Sequence, residues 1–115
     1  MPVYRVHLKY NEAEHQSENL QIDVQLDPDM KPITGVTFFG VAGDIDSRDF
    51  MPCILYPDGI IDFGSHADES GYRRYNTDLL ESPVKEGGRC RVWGAADRES
   101  DDACWVSIER TELLF

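Results

Sequence analysis

The sequence predicts a mainly β domain, a small barrel or a two-sheet sandwich of about seven short antiparallel strands with at most one short helix. Three observations predict it. Apolar and polar residues alternate with period two at the start of the chain, a Pro57-Asp58-Gly59 turn separates two apolar runs, and no stretch carries the continuous apolar stripe of a long helix. A chain of 115 residues suits one domain, residues 1–115, with one modest core.

Tyr4, Val6, Leu8 and Tyr10 share one face of the first segment while Arg5, His7 and Lys9 share the other, the signature of a half-buried strand. After the polar stretch Asn11 to Asn19, Leu20, Ile22, Val24 and Leu26 alternate again, and Asp27-Pro28-Asp29 ends the run, so a hairpin with a long loop is expected. Ile33 to Ala42 predicts a third strand bent or bulged at Gly35 and Gly40. Phe50 to Tyr56 and Ile60 to Phe63 flank the tight turn as strands four and five. Ser65 to Gly71 is expected to be loop, and Tyr72 to Ser82 holds one short helix around Asp78 to Glu81. Arg89 to Trp93 and Ala103 to Leu113 make a closing hairpin around the charged segment Ala95 to Asp102.

Composition bounds what such a domain does. The chain is 41% hydrophobic and 10% aromatic, enough to bury a core despite 29% charged residues. Its 22 acidic and 11 basic side chains leave a net charge of −11, which repels phosphate backbones and anionic membranes. Neither nucleic acid nor a membrane is therefore an expected partner. Nine acidic and four basic residues precede Pro57, and thirteen and seven follow it, so the excess is spread along the chain and the whole surface is expected to be negative. The first residues lack the apolar run of a secretory signal, which predicts a cytoplasmic protein. Three cysteines fit reduced, packed thiols; a turn centred near Asp97 would set Cys90 opposite Cys104, leaving a cross-strand disulfide as the alternative.

No catalytic constellation emerges, and no cofactor or metal is expected. Asp44, Asp46 and Asp49 crowd one loop, but Arg48 and Asp49 occupy the positions where an EF-hand loop needs a ligand and a glycine. His7, His15 and His66 lack ligand spacing with any cysteine or with one another, and His66-Ala67-Asp68 reads as a polar loop. The serines have no nucleophile elbow, and Gly87-Gly88 precedes a strand, which excludes a phosphate-cradling loop at a helix N-terminus. What stands out is acidity and aromatics: Asp44, Asp46 and Asp49 in one loop, Asp97, Glu99, Asp101 and Asp102 in another, and Trp93 and Trp105 on the closing strands. Trp93 with the seven carboxylates is the expected partner-binding set, and a basic protein is the expected partner.

Tyr75-Asn76-Thr77-Asp78-Leu79-Leu80-Glu81, Val84, Gly87-Gly88, Trp105-Val106-Ser107-Ile108 and Glu112-Leu113 resemble the C-terminal half of small bacterial β-rich proteins. Some proteins of that kind look like immunity partners of polymorphic toxins, so the resemblance implies an inhibitor that covers a basic toxin surface. Two alternatives remain: a structural or assembly module whose exposed strand edge pairs with a second copy, as a homodimer, or with another protein, and a small-ligand-binding barrel.

Overall fold

The computed structural model describes residues 2–11, 19–43, 50–64, 74–94 and 104–115. Within them run eight strands: β1 (Val3–Tyr10), β2 (Asn19–Gln25), β3 (Phe38–Gly43), β4 (Phe50–Leu55), β5 (Ile60–Asp62), β6 (Arg74–Thr77), β7 (Arg89–Gly94) and β8 (Cys104–Leu113). Each pairs antiparallel with its predecessor, and β8 returns to pair antiparallel with β1, so the sheet closes into a barrel. A meander of seven strands would bring its first and last strands together in parallel. The eighth strand makes the closing seam antiparallel like the rest.

That extra strand is β6, which falls where the sequence suggested only loop and helix. Arg-Tyr-Asn-Thr is too short and too polar to display alternation, yet Tyr75 lies opposite Ile61 and Thr77 opposite Val92. The expected helix is a single 3-10 turn, Leu79–Glu81. Strand three is also shorter than predicted. Its first half folds into the connection after β2, where Asp27 Oδ1 accepts the N–H groups of Asp29 and Lys31, Ile33 donates to the Gln25 carbonyl, and Leu26 bridges Pro32. The pairing of β3 runs through Gly40 without a bulge. This glycine lets β3 approach β2, because a Cβ there would sit 2.4 Å from the Gln21 carbonyl oxygen.

The Pro57-Asp58-Gly59 turn forms as predicted. Gly59 takes φ +88°, a region that favours glycine, and a side chain there would press on the Thr77 carbonyl at 2.8 Å. Asp58 Oδ1 accepts the Ile60 N–H at 3.2 Å and completes the turn.

The inward residues of the alternating strands fill the barrel: Val6 and Leu8, Leu20, Ile22 and Val24, Leu55, Ile61, Val92, Val106 and Ile108 are all buried. Eight strands enclose a space that side chains alone can fill, and burying each Leu or Ile contributes about 1.5–3 kcal/mol. Leu79 and Val84, on the β6–β7 connection, join this core, with the Val84 N–H bonded to the Met30 carbonyl.

Two alternatives lose their geometric premise. Cys104 lies opposite Val92 and Cys90 opposite Val106, a register centred one residue later than Asp97, and all three cysteines are thiols. Closure also pairs β1 with β8, so the terminal strands offer no free edge for a second copy. Among the described residues no helix is long and apolar enough to cross a membrane.

Candidate partner-binding surfaces

Asp44, Asp46, Asp49, Asp97, Glu99, Asp101 and Asp102 lie outside the described residues, as do His15 and His66. The strand ends that those segments join are described. In an antiparallel meander the odd-numbered strands end, and the even-numbered strands begin, at the same end of the barrel. Segments 11–18, 44–49, 63–73 and 95–103 therefore all leave and re-enter the barrel there. By sequence they hold twelve carboxylates against three arginines, nine of the eleven net negative charges. The rest of the chain, with ten acidic and eight basic residues, is close to neutral. An excess spread evenly along the sequence is thus tied by topology to one end.

Trp93, the described member of the predicted set, faces outward on β7 beside Arg89 and Arg91, since Cys90 and Val92 between them are buried. Trp105 stands opposite Arg91 on β8. Arg89 lies 4.4 Å from the Trp105 ring centre, and Arg91 lies 5.6 Å from Trp105 and 5.9 Å from Trp93, so cations and indoles alternate along this wall. Trp93 is half-buried there, opposite Asn76, whereas Trp105 is 40% exposed.

His7 faces outward from β1, where a surface histidine is expected, but its side chain is only 16% exposed. A bulge in the β1–β8 pairing is responsible. His7 pairs with Arg110 and Leu8 with Ile108, so Glu109 has no opposite number and joins Arg110 on the outer wall. His7, Asn19, Gln21, Gly43, Glu109 and Arg110 then line a cavity of about 170 Å³. The His7 Nε2 is buried without a hydrogen-bond partner, 3.8 Å from the nearest Glu112 oxygen. Burial, aided by Arg110 and opposed by Glu112, lowers the His7 pKa below its ordinary value. The sequence signal for this site was the break in alternation at Glu109-Arg110. Among the described residues, no three His, Cys, Asp or Glu side chains gather as metal ligands.

A third surface is apolar. On the outer faces of β3 and β4, Phe39 pairs with Ile54, Val41 with Pro52 and Gly43 with Phe50. Phe39 is 65% exposed and Phe50 44% exposed. Gln21 and Asp23 on β2 and Asp62 on β5 border the strip. Its sequence signal was apolar residues at both parities, as in Phe38-Phe39 and Ile54-Leu55.

No family model, no curated protein and no solved structure matches the chain.

Proposed function

We propose that this chain is a non-enzymatic acidic binding protein that offers one end of its barrel to a basic protein, as a cytoplasmic immunity-type inhibitor of a basic toxin would. The reading rests on one observation: the four connections that carry nine of the eleven net negative charges all join strand ends at the same end of the barrel. A concentrated charge steers an oppositely charged partner into one orientation and raises its association rate far more than the same charge spread over a sphere. Asp44, Asp46, Asp49, Asp97, Glu99, Asp101 and Asp102 supply the field. Trp93, on the last outward position of β7 before Gly94, lies nearest that end and flanks the contact.

The test neutralises equal charge in two places. One variant replaces Asp97, Glu99, Asp101 and Asp102 by their amides, and the other replaces Asp27, Asp29, Glu81 and Glu86. A basic partner captured from lysate at low salt, identified and then titrated against both, should associate at least about tenfold more slowly with the first variant only, with a steep salt dependence. Equal rates for the two variants would remove the proposal.

A further inference from the structure

We infer that the outer face of the β3–β4 hairpin is the apolar anchor of the same interface, and that its occupant is a cationic amphipathic segment of the partner. This rests on the proposed function for the sign of the partner's charge, but the surface itself is an independent observation. Three cross-strand pairs in a row, Phe39 with Ile54, Val41 with Pro52 and Gly43 with Phe50, put no polar side chain on the outside of the hairpin. On β1, β2 and β7 most outward positions follow the usual rule for a strand with one wet face: Arg5, His7 and Lys9, Asn19, Gln21 and Asp23, and Arg89 and Arg91. Phe39 alone leaves 65% of its surface in water, and a contiguous apolar strip rimmed by polar residues marks an interaction site.

Charge selects the occupant. The hairpin's own connection reads Asp44-Ile45-Asp46-Ser47-Arg48-Asp49, and it joins the two strands at the end where the negative charge is tied. Asp23, next to Phe39 on β2, and Asp62, next to Ile54 on β5, are neutralised by Arg5 and Arg74 and rim the strip as ion pairs, so the selecting charge comes from the connection and from the chain's net −11. A second copy would bring a like charge of −11 against this one. A segment with one apolar and one cationic face instead meets the strip with the first and the acidic end with the second, as amphipathic segments do in apolar grooves.

The experiment uses two synthetic probes of equal charge: an amphipathic Lys/Leu peptide with one apolar face, and an oligolysine. Binding is measured at low salt by isothermal titration to the whole chain and to two variants, Phe39→Ser on this strip and Trp105→Ser on another wall. The inference expects the amphipathic peptide to bind about tenfold or more tightly than oligolysine, the difference to vanish in Phe39→Ser, and Trp105→Ser to keep it. Both variants lie on exposed positions, and equal melting temperatures confirm that they fold. An unchanged preference in Phe39→Ser overturns the inference while leaving the proposed function standing, provided oligolysine binds in a salt-dependent way. Failure of both peptides to bind overturns both readings. A dimer by light scattering that Phe39→Ser dissolves would assign the strip to a second copy and overturn the inference as well.

Discussion

Asp78 holds Arg91 at two points: its Oδ1 accepts the Arg91 backbone N–H at 2.7 Å, and its Oδ2 takes the guanidinium Nε at 3.0 Å. The residue stands just before the 3-10 turn that carries Leu79 into the core. Thr77 reinforces the junction, donating from Oγ1 to the Arg91 carbonyl and accepting the Leu79 N–H. A polar knot on the wall thus fixes the connection that supplies Leu79 and Val84.

Replacing Asp78 tests that knot. The ion pair alone is half-exposed on the arginine side, so it contributes little; the hydrogen bond to the backbone is the larger part. Asp78→Ala should lower unfolding free energy by about 1–2 kcal/mol, and Asp78→Asn, which keeps an oxygen acceptor, by about half that. Urea midpoints measured with an unchanged m-value check both. Equal losses for Ala and Asn would assign the effect to charge.

Gly40 sets the spacing of β2 and β3. An alanine there brings its methyl group within 2.4 Å of the Gln21 carbonyl oxygen, 3.0 Å of Ile22 Cγ1 and 3.2 Å of the Cys53 sulfur. The backbone must move, because the nearest atom is itself backbone. Gly40→Ala should cost about 3 kcal/mol, the upper end for overpacking, and a thermal melt within a few degrees of the parent would contradict this packing.

Much of this fold was legible in the sequence, and the exceptions share a cause. Leu20, Ile22, Val24 and Leu26 alternate so regularly that their burial followed directly. The Pro57-Asp58-Gly59 turn carries its own chemistry. Four-residue β6 has no room to display a period, and it exists because β5 and β7 pair with it on either side. The acidic end was hidden for a different reason. Halving the chain at Pro57 averages charge over strands and connections alike, and only the meander's alternation of direction sorts the four acidic connections to one end. The outer apolar strip was hidden because Phe38-Phe39 reads equally well as core. Register decides that Phe38 points in and Phe39 out.

Thiol chemistry offers a third test. Cys53 and Cys90 are buried, and burial pushes both pKa values up to about 12. At pH 8 neither supplies an appreciable thiolate, the form that attacks a disulfide reagent. Native protein should therefore release aromatic thiol from such a reagent at no more than one site, Cys104, and unfolding in guanidinium should expose three. Rapid reaction of two or more native thiols would mean that the wall opens readily around β4 or β7.

His7 makes stability depend on pH in a window that the carboxylates leave clear. Its folded pKa lies below the unfolded value of 6.5, chiefly through burial and then Arg110. Above 6.5 the imidazole is neutral in both states and the contribution is constant. As pH falls below 6.5 the unfolded chain binds a proton that the folded chain resists, so stability declines until the folded pKa is reached. Ordinary carboxylates titrate lower, near 4, and do not contribute much down to about pH 5.5. The parent protein should thus lose more melting temperature between pH 7.5 and 5.5 than His7→Gln, which cannot take up the proton. His15 and His66 are common to both proteins and cancel in the comparison. Parallel pH curves for the two would show that Glu112, 3.8 Å from Nε2, draws close enough in solution to offset the desolvation of the imidazole.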